Sequence, residues 1–295
     1  MKQALKKYYT FVTKYRIMKL KHYIFFLFAA VAVTISADDA DDNIYFRMID
    51  DAQYAIKTQD YERAEQLITE AINFQPDNPN NALLMSNLGM VRYYMGNDSL
   101  ALYTLNHAHS LAPASVTILQ NRARVLSSIG KIDEAVADYD KITELDSTVV
   151  MPYLFRGLLY LGNSDLLSAQ MQFENITKYA PGSYEEALAY SNFYFLQQDY
   201  ANALKYYGTL LKTEQTAENY AAHAICCLYC DDLDTASMDI SAGLAIDDKY
   251  GELYLCRAIL YKKRYMNEDA FRDAQKAKKL GVNPETVDSL LNFKK

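Results

Sequence analysis

Glycine and proline are scarce, at ten and six among 295 residues, too few for a collagen-like or linker-dominated chain. No apolar run approaches the roughly 18 to 20 residues of a membrane-spanning helix, which excludes a polytopic membrane protein. Histidine is nearly absent, with four residues, and base is in short supply once the N-terminus is set aside. Residues 1–37 hold seven Lys and Arg and no acid, leaving 23 bases against 37 acids in the remainder. A body this acidic is repelled by phosphate, so nucleic acid and anionic lipid surfaces are poor partners. What the chain does have is apolar side chain, 51% of its residues, enough for a folded core.

The N-terminus reads as a secretory leader. Lys19, Lys21 and His22 precede the apolar segment from Tyr23 to Ile35, followed by small Ser36 and Ala37 and then by Asp38, Asp39, Asp41 and Asp42. Residues 1–37 are therefore assigned as a signal peptide, with Met18 as a possible true start, and 38–44 as a short acidic linker. This places the mature chain in the periplasm or outside the cell. The alternative is an uncleaved anchor in the inner membrane, facing the periplasm and holding the chain as a structural subunit of an envelope complex. A 13-residue apolar run is short for that purpose.

Beyond the leader, one residue type returns at successive spacings of 37, 34, 34, 34, 33 and 34: Ala64, Ala101, Ala135, Ala169, Ala203, Ala236 and Ala270. Twelve residues before each stands another small residue, Ala52, Gly89, Ala123, Gly157, Ser191, Ala224 and Ala258. A period near 34 residues means a solenoid. Four residues after the alanine comes a larger apolar side chain in six units, Ile68, Leu105, Tyr139, Phe173, Tyr207 and Ile240, which is the spacing of one helix face. Two antiparallel helices per unit, each with a small residue where the backbones meet, account for the pattern. Seven such units fill 45–282. In 283–295, Asn283 caps, Pro284 opens, and Val287, Leu290 and Leu291 line a short final helix that shields the last unit.

In the second unit Met85, Leu88, Gly89, Gly96, Ala101, Leu105, Ala108 and Pro113 fall in order, and Pro76, Pro113 and Pro181 close three units. This resembles the tetratricopeptide repeat. The departures are Arg92 where Tyr is usual, and Arg122, Arg156 and Arg257 in place of the first-helix Leu. The resemblance implies an all-α fold, a right-handed α-α superhelix of seven helix-turn-helix repeats plus a C-terminal capping helix. It also implies a non-catalytic scaffold whose first helices line a concave, peptide-binding groove. The inward positions are then Asn87, Tyr93 and Tyr94 in the second repeat, Gln120, Asn121 and Arg124 in the third, Phe155 and Leu158 in the fourth, Asn192 and Phe195 in the fifth, and Tyr229 in the sixth. Amides can pair with the main chain of a bound strand and rings supply contact area. The lysines of the carboxylate clamp found in chaperone-tail binders of this family are absent. A protein or peptide partner is expected, with no small-molecule substrate.

Chemistry is sparse. There is no His-Glu-x-x-His, no phosphate-cradling glycine loop and no Gly-x-Ser-x-Gly elbow. His107 and His109 are two apart on a helix and point to different sides, and His223 has no evident partner. Cys226, Cys227 and Cys230 could share a helix face and bind zinc, or one could pair with Cys256. Their apolar setting favours thiols packed as small hydrophobes. The cluster Asp231, Asp232 and Asp234 lacks the glycine and distal Glu of a calcium loop and reads as a solvated turn. No catalytic residue, cofactor or metal is assigned.

Overall fold

The computed structural model describes residues 40–291; the leader assigned to 1–37, the first residues of the linker and the tail beyond 291 lie outside the described residues. Fifteen helices follow in order, with no strand among the described residues. They are α1 (Ala40–Lys57), α2 (Tyr61–Phe74), α3 (Asn81–Tyr94), α4 (Asp98–Leu111), α5 (Val116–Ser128), α6 (Ile132–Leu145) and α7 (Met151–Gly162). There follow α8 (Leu166–Tyr179), α9 (Tyr184–Leu196), α10 (Tyr200–Thr213), α11 (Ala217–Tyr229), α12 (Leu233–Ile246), α13 (Gly251–Lys263), α14 (Asn267–Lys279) and α15 (Pro284–Leu291). No described helix is long and apolar enough to cross a membrane. The linker expected over 38–44 is helical from Ala40.

The chain forms two compact units, one ending at Pro152 and the other beginning at Tyr153. In the first, α1 packs on α2, α3 on α4 and α5 on α6, and the first helices of successive pairs, α3 and α5, also touch. In the second, α9 packs on α10, α11 on α12 and α13 on α14, α11 touches α13, and α15 lies on the last pair. The fold is all-α, built of seven consecutive helix pairs with a closing helix.

The small residues are the contacts that bring each pair together. All seven periodic alanines of the second helices are fully buried, and their first-helix counterparts are buried too. A Cβ on Gly89 would sit 2.6 Å from Leu105 Cγ, and one on Gly157 would run into the Phe173 ring. Both large partners stand sixteen residues after the glycine. One register therefore governs both pairs: a small residue on the first helix faces a large one sixteen positions on. Tyr139 and Tyr207, at the same position as Phe173, are buried as expected, whereas Tyr160 is exposed and Tyr194 and Tyr261 are only half-buried.

The turn inside every pair has one geometry. A left-handed residue follows each first helix: Gln59, Gly96, Gly130, Ser164, Gln198, Asp231 and Tyr265, with φ between 61° and 85°. The next residue's N–H then bonds back to a carbonyl five positions earlier, as Asp60 to Ala55 and Met266 to Tyr261, which is the Schellman closure. That next residue is also the cap of the second helix, and Asp60, Asp165, Asp199 and Asp232 each accept from the N–H three positions on. At the C-terminus Asn283 Oδ1 accepts from Thr286 N at 3.2 Å, and Val287, Leu290 and Leu291 are buried as the sequence predicts.

Three stability outcomes follow from this packing and these turns. Gly157→Ala should destabilise by about 1 kcal/mol or more, overpacking outweighing the gain in helix propensity, and Phe173→Leu should recover most of it. Gly208→Ala, whose Cβ would meet nothing closer than 3.9 Å, should leave the midpoint unchanged or raise it. Tyr265 is 90% exposed at φ 61°, so Tyr265→Gly relieves left-handed strain while uncovering almost no buried surface, and it should stabilise by roughly 0.5 to 1 kcal/mol. Urea midpoints at fixed m-value check all four variants.

Candidate functional site

Within the first unit, α3 supplies Asn87, Tyr93 and Tyr94, and α5 supplies Gln120, Asn121 and Arg124. All are buried except half-buried Tyr94. They do not stand free in solvent because neighbouring first helices close on each other. Asn121 Nδ2 donates to Ser86 Oγ at 3.0 Å, tying α5 to α3. Asn87 Oδ1 is buried with no hydrogen-bond partner among the described residues.

The Arg124 guanidinium lies beside the hydroxyls of Tyr94 and Tyr93 and acts on Tyr139 as well. Burial pushes all three phenols up, Tyr139 to about 12, and the positive charge of Arg124 offsets part of that rise. Arg124 is only 8% exposed, and it takes part in none of the ion pairs among the described residues. A buried cation without a counter-charge is costly, so Arg124 places an electrostatic demand on the first unit.

In the second unit, Phe155, Leu158, Asn192 and Phe195 are buried and Tyr229 is half-buried. Asn192 Nδ2 turns back to the Leu188 carbonyl at 2.6 Å. Phe195 meets Tyr200 edge-on at 5.4 Å, and Tyr200 stacks on Tyr229 at 4.6 Å, so Phe195 and Tyr229 belong to one aromatic group whose third member, Tyr200, was not expected there.

Two of the arginines that depart from the repeat pattern, Arg122 and Arg257, are paired with an aspartate of their own repeat. Arg122 donates to Asp138 through Nε at 2.8 Å and Nη2 at 2.5 Å, and Arg257 donates to Asp273 at 2.6 and 3.0 Å. Arg92 bridges Glu65 and Thr104. Both bidentate pairs join residues sixteen apart, one position before the small residue of the first helix.

The same step in the sixth repeat joins His223 to Asp239. His223 Nδ1 lies 2.6 Å from Asp239 Oδ2, which corrects the expectation that His223 has no partner. Cys227 Sγ stands 3.7 Å from that nitrogen and 3.9 Å from that oxygen. Burial first, then the carboxylates of Asp239 and Asp232, push the Cys227 thiol up to about 12. The usable sequence signal was the sixteen-residue step from Arg to Asp, repeated with His at its head. All four cysteines are thiols, and Cys256 Sγ donates to the Ala221 carbonyl at 3.6 Å. Of the acidic turn, Asp232 caps α12, Asp231 pairs with Lys263 and Asp234 with Arg264, in keeping with a solvated turn.

The family model described as Tetratricopeptide repeat matches residues 116–148, the span of α5 and α6. The chain is 25% identical over 264 residues to the DnaJ homolog subfamily C member 7 homolog of Dictyostelium discoideum, over 79% of this chain and 48% of that protein, so it spans about half of that relative's length. Its fold is similar to that of a tetratricopeptide repeat protein from Parabacteroides merdae, with TM-score 0.60, 24% identity, and coverage of 85% of this chain and 98% of the other. It is also similar to a chain of the APC/C hetero-tetramer Cut9–Hcn1, with TM-score 0.64, 15% identity, and coverage of 79% and 52%. With its third helix pair matching the repeat itself and the same pair repeated along the described length, the chain is a tetratricopeptide repeat protein.

Proposed function

We propose that the chain is an exported, non-catalytic scaffold that grips an extended peptide bearing an acidic group, with Arg124 as the anchor. The fold is a protein-interaction fold, and the similar Cut9–Hcn1 structure is of a hetero-tetramer. The observation that carries the reading is the Arg124 guanidinium, buried among tyrosines and without a carboxylate partner among the described residues. A partner's carboxylate would supply the missing counter-charge, and the bare Oδ1 of Asn87 would take a main-chain N–H of the same segment. Export rests on the leader-like segment 1–37, and the compartment is periplasmic or extracellular.

Selection from a randomised peptide library on the purified chain should enrich acidic sequences whose binding weakens with salt. Arg124→Gln should reduce that binding about 30-fold or more, the usual range for removing one partner of a buried charged pair. The same variant should keep its helicity and unfold at an equal or higher denaturant concentration, because it removes a buried unpaired charge. Selected peptides that bind Arg124→Gln as well as the parent, or no enrichment at all, would overturn the reading. N-terminal sequencing of the chain from its host should give Asp38 as the first residue; an intact Met1 or Met18 would contradict cleavage.

A further inference from the structure

We propose that His223, Cys227 and Asp239 form a binding site for a borderline transition-metal ion, zinc foremost, with a fourth position open to water. The three donors come from one helix pair. His223 and Cys227 are one turn apart on α11, so they share a face, and Asp239 projects from α12. Their ligand atoms all lie within 4.8 Å of one another.

The distances fit a tetrahedral ion. With Zn–N and Zn–O near 2.0 to 2.1 Å and Zn–S near 2.3 Å, edges to sulfur are roughly 3.6 Å and the nitrogen–oxygen edge roughly 3.3 Å. The edges to Cys227 Sγ, at 3.7 and 3.9 Å, already have that length. The His223–Asp239 edge, now a hydrogen bond of 2.6 Å, must open by about 0.7 Å. Coordination at Nδ1 moves that proton to Nε2 or to water, and the Cys227 thiol gives its proton to solvent as the thiolate binds. A further carboxylate, Asp232, acts electrostatically on both His223 and Cys227 and adds to the negative potential. The side chains of His223 and Asp239 are 16% and 11% exposed, which leaves a narrow way in for an ion and one water.

The other repeats show what is special here. In the third and seventh repeats the same two positions hold Arg122–Asp138 and Arg257–Asp273, closed by bidentate hydrogen bonds. Arginine has no lone pair to give a metal. In the sixth repeat the cation is replaced by an imidazole, which makes one short contact where arginine makes two, and a thiol stands within 4 Å of both groups. One nitrogen, one sulfur and one carboxylate suit zinc or its cobalt surrogate, whereas calcium and magnesium require mainly oxygen donors. Occupied, the site would tie α11 to α12 through a metal in place of an ion pair.

The control is built into the repeat. His223→Arg recreates the pair used by the third and seventh repeats, so it should fold while losing the ion. Full-length chain, free of any polyhistidine tag and reduced, is titrated with Co²⁺ alone and then with Zn²⁺. The expected result is one equivalent bound, visible d–d bands of tetrahedral intensity, a near-ultraviolet thiolate-to-cobalt band, displacement by Zn²⁺ and a raised unfolding midpoint. Cys227→Ser should remove the thiolate band, and His223→Arg should lower affinity at least 100-fold with helicity and metal-free midpoint kept. Absence of a stoichiometric ion, six-coordinate spectra without a thiolate band, or unchanged binding in both variants would overturn the site and leave His223–Asp239 as a metal-free pair.

Discussion

Everything in this molecule depends on two backbones coming close enough within each pair for a large side chain on one helix to fit over a small one on the other. At Gly89 and Gly157 the gap is so narrow that even a methyl group would collide with its partner. Such packing has one solution along the helix axis: shifting by a residue would set a large side chain against another large one, and the dense interior could not absorb the volume. The sixteen-residue register follows, and so does the turn, because both helices must end where a single left-handed residue and a Schellman closure can reverse the chain. Five of the seven turns use a residue other than glycine there, a cost each pair carries so that its register is kept.

Once that register holds, the position just before the small residue is free to vary, because it faces its partner across the pair without setting the distance between them. Its occupants differ accordingly. Arginine meets aspartate in the third and seventh repeats, Tyr190 stacks on Tyr206 at 5.4 Å in the fifth, and His223 meets Asp239 in the sixth. The buried ion pairs add little net stability, since desolvation consumes most of their attraction. Their geometry still penalises slippage, because a displaced arginine would leave a buried carboxylate alone.

The architecture was legible in the sequence because it rests on volume, and volume follows residue type. Ala64 through Ala270 announce the period, and burial of every one bears out the packing argument. The site was less legible because polar chemistry depends on which atoms meet across the pair. The pattern treated Arg122 and Arg257 as departures, yet each has its aspartate sixteen residues on. His223 looked solitary for the same reason. Asn87, Asn121 and Arg124 could be placed on the first helices, but not their separate fates: Asn121 consumed by Ser86, Asn87 left with a bare oxygen, Arg124 enclosed by phenols.

That difference tells scaffold from function in a repeat protein. A residue bonded within its own repeat, as Arg122 is to Asp138 and Asn192 to the Leu188 carbonyl, is tied into the fold. A buried polar group left short of partners must be held there by packing that over-determines its position, since each such group costs roughly 1 to 3 kcal/mol. Asn87 meets that condition, and Arg124 on the neighbouring helix of the same unit is buried without a counter-charge among the described residues. His223, Cys227 and Asp239 meet a related one: they are bonded, but in a way that leaves donor atoms converging on one point. In both places the repeat spends stability that a uniform array would have kept, and the ligand each place would suit, a carboxylate in one and a metal cation in the other, carries the charge that would restore it.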